Sequence, residues 1–102
     1  MIRHIVLLSL RKEISKRSVE CLMRYFEYVA NNVEGCMGFE WGENICNEDV
    51  RAGYTHCVVI SFRSLIAKET YLILDEHQKL SARLRMAASD IAVADIDVSN
   101  VI

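Results

Sequence analysis

Apolar and polar positions change period along this chain, and the changes mark its elements. Residues 2–10 are apolar on both alternating faces, with His4, Val6, Leu8 and Leu10 on one and Ile5 and Leu7 on the other. A strand of that kind has to be covered on both sides. Over residues 15–32 the period becomes about 3.6. Val19, Leu22, Met23, Phe26, Val29, Ala30 and Val33 share one side, while Lys16, Arg17, Glu20, Arg24 and Glu27 fall mainly on the other. Ser15 or Ser18 is placed to cap this helix and Gly35 to stop it. Residues 37–45 read as a second strand interrupted by glycines, and residues 47–53 as a polar turn. A third strand over residues 54–62 sets Tyr54, His56, Val58, Ile60 and Phe62 against Thr55, Cys57, Val59 and Ser61. Residues 65–74 and 77–88 form one broken helix or two short ones. The break falls at Asp75-Glu76, where two acids suit a helix N-terminus. The last strand, residues 91–98, has Ile91 and Val93 opposite Ala92, Ala94, Ile96 and Val98.

The order β-α-β-β-α-β predicts an α+β domain of the split-βαβ kind. Its four-stranded antiparallel sheet would carry helices on one face. Two helical segments cover one face only, yet the strands are apolar on the other face as well. Left open, that face would exceed the few hundred Å² of apolar patch that a monomer usually shows. The expected solution is a homodimer, two copies packed sheet to sheet about a two-fold axis.

Composition narrows the function classes. A chain of 102 residues fits one domain, 1–102. Twelve basic and 14 acidic side chains leave a formal charge of −2, without the clustered basic face that a nucleic-acid partner requires. No run of about 18 apolar residues is present, so no membrane span is expected. The first apolar run ends in Arg11-Lys12-Glu13, which suits a buried strand better than a signal peptide. Cys21, Cys36, Cys46 and Cys57 form no CxxC pair and no zinc-finger spacing. They read as reduced, mostly buried thiols of a cytoplasmic protein.

Candidate chemistry rests on three histidines, since only histidine titrates unaided near neutrality. His4 and His56 sit on strands expected to be neighbours, each sharing a face with large apolar residues. His77 opens the last helical segment on the side of Leu80, Leu84 and Ala88. His4 and His56 are thus expected side by side beneath His77, with Tyr71 in reach of the same space. These side chains read either as hydrogen-bonded core residues or as the lining of a small-molecule pocket. A three-histidine zinc site lacks the close i, i+4 pairing of helical metal motifs, and no carboxylate obviously completes it. No metal and no cofactor are expected. Cys57 follows His56, but neighbouring strand positions point to opposite faces. Phe39 and Trp41, alternating with Glu40, read as structural.

Several of these residues form a recognisable set. Residues 4–10 resemble the first strand of the stress-responsive A/B barrel domain family. Phe39-Glu40-Trp41-Gly42-Glu43-Asn44 is similar to its FEWGxN strand, and Gly53-Tyr54-Thr55-His56 to its GYTH motif. Residues 71–77 match its YxxHPxH region in part. The resemblance runs from about residue 2 to residue 98. It implies a ferredoxin-like monomer and a dimeric α+β barrel. The family includes stress-stable plant proteins and a plant enzyme that closes a linear polyketide with a tyrosine and a histidine. Carried onto this chain, those catalytic residues are Tyr71 and His77, with His4 and His56 also lining the pocket. The chain departs from the pattern at Leu74-Asp75, where His-Pro is common. Loss of that proline is expected to loosen the turn that aims His77. Asp75 and Glu76 are expected to favour the protonated form of His77. The function implied is a dimeric barrel that binds a small organic or aromatic molecule, stress-related and with no reaction assigned. The alternative is a cyclase or lyase acting on a carbonyl substrate through the His77/Tyr71 pair.

Overall fold

The computed structural model describes residues 1–48 and 53–98. The polar turn expected over residues 47–53 therefore lies partly outside the described residues. Among them, the elements run β1 (Ile2–Leu10), α1 (Lys16–Asn31), β2 (Cys36–Glu43), β3 (His56–Phe62), α2 (Leu65–Leu72), α3 (Asp75–Ala87) and β4 (Ala88–Asp97). The broken helix is thus two helices. The strands form one antiparallel sheet in the order β2-β3-β1-β4, which is the ferredoxin-like arrangement.

Local chemistry sets the ends of these elements. The Ser15 hydroxyl accepts from the Ser18 amide and caps α1. After α1 the chain turns through Gly35 at φ +99°, a conformation that costs glycine little. A side chain there would also collide with Ala67 on α2, whose Cβ would stand 2.9 Å away. Strand β2 stops at Glu43, two residues short of expectation, because Asn44 turns the chain away. The Asn44 side-chain amide donates to the Tyr54 carbonyl at 2.9 Å, and its side-chain oxygen accepts from the Cys46 amide at 2.9 Å. Ile45 is consequently 92% exposed. Strand β3 starts later than expected, at His56, since the Thr55 hydroxyl takes over a ladder position. It accepts from the Leu10 amide and donates to the Leu8 carbonyl. Strand β4 starts earlier than expected, at Ala88. Ser89 and Asp90 carry no apolar alternation, yet the chain passes from α3 into pairing with Leu10 and Ser9 across a β-bulge.

The helices cover one face of the sheet. Against them lie Ile2, Val6, Leu8 and Leu10 of β1 and Val58, Ile60 and Phe62 of β3, all buried. Met23, Phe26 and Val29 of α1 and Leu80 and Leu84 of α3 meet them from above. Phe39 of β2 packs on Phe26, with ring centroids 5.3 Å apart. The opposite face bears Ile5, Leu7, Val59 and Cys57, half-buried, and Ile96, 46% exposed. The smallest dimension is 18 Å. That accommodates one helix layer on one sheet, whose planes pack about 10 Å apart, and no third layer. Among the described residues no helix is long and apolar enough to cross a membrane.

None of the four cysteines is fully buried, contrary to expectation. Cys21 is exposed on α1 and the other three are partly exposed, all as free thiols. Cys21 precedes the apolar Leu22-Met23 pair but falls on the solvent side of the helix, so its sequence neighbours misplace it.

Candidate functional site

Antiparallel register decides which histidines meet. His4 on β1 pairs with Ile60 on β3, whereas His56 on β3 pairs with Leu8 on β1. The two histidines share the helix-facing side of adjacent strands but stand four positions apart, roughly 13 Å along the strand. The expectation that they lie side by side beneath His77 is therefore corrected. Strand neighbourhood was right and register was not.

His4, Tyr71 and His77 do come together. Tyr71, near the end of α2, is fully buried. Its ring stands edge-on to His77, with centroids 4.7 Å apart, and 5.8 Å from the ring of His4. Phe62 closes the cluster from the sheet, 5.4 Å from Tyr71. These side chains border a cavity of about 230 Å³ between the sheet and α2 and α3, walled by Phe26, Leu84, Ile91 and Val93. The Tyr71 hydroxyl is buried without a hydrogen-bond partner among the described residues. Burial, with a smaller contribution from Cys36, raises its pKa far above the ordinary tyrosine value.

The turn that aims His77 holds without proline. Leu74 takes an extended conformation, φ −63° and ψ 141°, and its carbonyl accepts from the amides of His77 and Gln78. Asp75 and Glu76 do not favour a protonated His77. Its pKa is lowered, first by burial and second by His4. Glu76 faces the other way, accepting from the Tyr25 hydroxyl at 3.1 Å and from Lys79 at 3.4 Å.

Two site residues escaped the sequence reading. Asp95 on β4 pairs with His4 across the sheet and lines the cavity. One carboxylate oxygen meets His4 Nδ1 at 2.6 Å, and the other accepts from Lys68 Nζ of α2 at 2.9 Å. Burial raises the Asp95 pKa, but the hydrogen bonds from Lys68 and His4 and their charges outweigh it, leaving a net lowering. The signal was an acid in phase with Ile91 and Val93 on the helix-facing side of the last strand. Asp95 thus stands where no carboxylate was expected. Even so, among the described residues no three histidine, cysteine or acidic groups are set to hold a metal ion.

His56 belongs to a second cavity of about 410 Å³, bordered by Ile14, Lys16, Val19 and Trp41. Its Nδ1 lies 2.8 Å from the Thr55 hydroxyl, and its ring stacks on Trp41 at 6.2 Å. Burial lowers its pKa, partly offset by Glu43 across the strand pair. Trp41 is 40% exposed and walls this cavity, whereas Phe39 packs into the core.

Comparison with known proteins places this geometry among relatives. The chain is similar to the stress-response A/B barrel domain-containing protein HS1 of Arabidopsis thaliana, with 24% identity over 100 residues, 98% of this chain and 92% of that one. It is also similar to olivetolic acid cyclase of Cannabis sativa, with 24% identity over 76 residues, 74% of this chain and 75% of that one. Among solved structures, the fold matches hydroxynitrile lyase from Passiflora edulis at a TM-score of 0.85, with 17% identity over 99% of this chain and 95% of that one. It matches a dimeric ferredoxin-like protein from Jannaschia sp. CCS1 at 0.82, with 22% identity over 95% and 98%. The family model of the stress responsive A/B barrel domain matches residues 2–98. The chain belongs to the stress-responsive A/B barrel domain family.

Proposed function

We propose that this chain forms a homodimeric α+β barrel in which each subunit binds a small organic molecule in the cavity bordered by His4, Tyr71 and His77. The observation that carries the reading is Tyr71, which lines that cavity and whose hydroxyl is buried without a partner among the described residues. A buried polar group normally has a partner, and leaving one without costs about 1–3 kcal/mol. A ligand oxygen would supply the missing bond. The apolar second face of the sheet supports the dimer, and so do solved relatives described as dimeric. Four unpaired thiols favour a reducing, cytoplasmic setting. A connection to stress rests on the family. A thermal-shift screen with phenols and hydrophobic carboxylic acids tests the reading. Stabilisation that Tyr71→Phe abolishes is expected. No stabilisation of the native protein by any such compound contradicts it.

A second reading, a cyclase- or lyase-type enzyme, is favoured by the placement of His77 against Tyr71, with ring centroids 4.7 Å apart, and by burial, which with His4 lowers the His77 pKa. In that reading His77 removes a proton beside a carbonyl while Tyr71 donates a hydrogen bond to the carbonyl oxygen. Similar proteins named olivetolic acid cyclase and hydroxynitrile lyase support it. Once a turnover is detected, His77→Ala should remove it, and retention of activity in that variant rejects the mechanism.

A further inference from the structure

Strand β2 carries two glycines that the subunit itself does not require. Gly38 and Gly42 alternate with Phe39 and Trp41, so they share with Glu40 the sheet face turned away from the helices. Neither has a positive φ, and a Cβ at either would meet nothing within 4 Å. A glycine inside a strand weakens it and often marks close approach by another chain segment or a ligand. Nothing in the subunit makes that approach. Glu40 therefore stands between two bare positions. Beside it is a hollow of about 230 Å³, bordered also by Gly42, Cys57 and Val59. Glu40 and Glu43 both border the hollow, and no basic residue does.

The opposite charge lies on the same face. Arg3 is exposed and in phase with Ile5 and Leu7 on β1. It is the one basic residue among the described strand positions of that face. Among the described residues, neither Arg3 nor Glu40 has an ion pair within the subunit. Glu40 pairs with Val59 and Arg3 with Ser61, so β3 separates the two charges. Two strand spacings and one pleat set them roughly 12 Å apart. A two-fold axis running between facing sheets, over β3, exchanges two such positions. Each Arg3 then meets the Glu40 of the other copy, and the operation that forms one pair forms both.

We propose that the hollow beside Glu40 receives Arg3 from a second copy of this chain, and that two reciprocal Arg3–Glu40 pairs fix how the sheets are set on one another. This rests on the reading of the chain as a homodimer and names contacts which that reading leaves open. Apolar contact between Ile5, Leu7 and Val59 is non-directional and selects no single register. Charge pairs do select one. The glycines then have a reason: they clear room around Glu40 for a long side chain, whose guanidinium can meet the carboxylate through two parallel hydrogen bonds.

The test is charge reversal, read by sedimentation over a range of concentrations, with circular dichroism to check folding. Arg3→Glu sets like charges in both pairs of a homodimer, and so does Glu40→Arg. Each variant alone should associate at least about a hundredfold more weakly than the native chain. In an equimolar mixture one chain offers two acids and the other two bases, so both pairs are again of opposite sign. The mixture should return to within about tenfold of native affinity. If either reversal unfolds the chain, Arg3→Met, Glu40→Gln and their double variant decide instead: the double variant should associate no more weakly than either single one, and additive losses overturn the proposal. Gly42→Val should leave the subunit folded and weaken association at least about tenfold. Unchanged association in that variant overturns the hollow as the seat of Arg3. A native chain that sediments as a monomer refutes the homodimer and this proposal with it. A native dimer that both reversals leave intact, or a mixture no tighter than its components, refutes the Arg3–Glu40 pairs alone.

Discussion

The two faces of the sheet carry similar apolar side chains and have opposite fates. On the helix-facing side Leu8, Val58, Ile60 and Phe62 are wholly buried. One residue along each strand, Leu7, Cys57 and Val59 face away and keep part of their surface in water. Since alternate strand positions point to opposite faces, strands this apolar serve two layers whether or not the chain supplies both. The helices supply one. The difference teaches that one face is completed within the subunit while the other is left half-covered, and it separates residues that hold the monomer together from residues available to the second copy proposed above.

Substitution on the covered face should have the largest effect on the subunit itself. Phe62→Ala is expected to cost about 3–5 kcal/mol in urea unfolding, as a large ring leaves a packed site. A loss below about 1 kcal/mol would show that this face is not the core. Leu7→Glu, on the other face, should leave the subunit folded while weakening self-association by at least about a hundredfold, some 2.7 kcal/mol, in concentration-dependent sedimentation. If Leu7→Glu instead unfolds the chain and Phe62→Ala does not, the assignment of faces is reversed.

Smaller effects sharpen the site. Tyr71→Phe removes a hydroxyl buried without a partner, so the ligand-free variant should gain up to about 1–3 kcal/mol in thermal or urea unfolding. A loss of stability there would mean that the hydroxyl has a partner, such as an ordered water. The smallest expected effect is the pH dependence. Asp95 has a lowered pKa in the folded state, so its contribution is present above the ordinary carboxylate value and is lost as pH falls through the folded value. With 35% of that side chain exposed, the contribution should stay well under about 1 kcal/mol, and Asp95→Asn should remove it. His77 is lowered as well. The unfolded chain therefore takes up its proton first, and stability should fall as pH drops from the ordinary histidine value toward the folded one. His77→Gln should flatten that slope.

Much of the fold was legible because hydrophobic period survives folding unchanged. Residues 2–10 form β1 at the expected bounds, and α1 differs from expectation by its two capping residues, Ser15 and Asn32. What failed to show was set by side-chain hydrogen bonds and register. Asn44 and Thr55 trim β2 and β3 through bonds that apolar pattern does not record. Register put His56 beside Leu8 rather than His4, and no local pattern encodes that offset. Tyr71 and His77 were found from spacing and family motif together. Asp95 and Lys68 were missed because an ion pair between residues 27 positions apart leaves no local signature, although the phase of Asp95 with Ile91 and Val93 hinted at one half of it.

Sedimentation of the native chain at micromolar concentration tests the central claim, that the uncovered face of the sheet is completed by a second copy. The account predicts a single species of twice the 11.7 kDa subunit mass. A well-folded species at the subunit mass, with that apolar face still open to water, would contradict it.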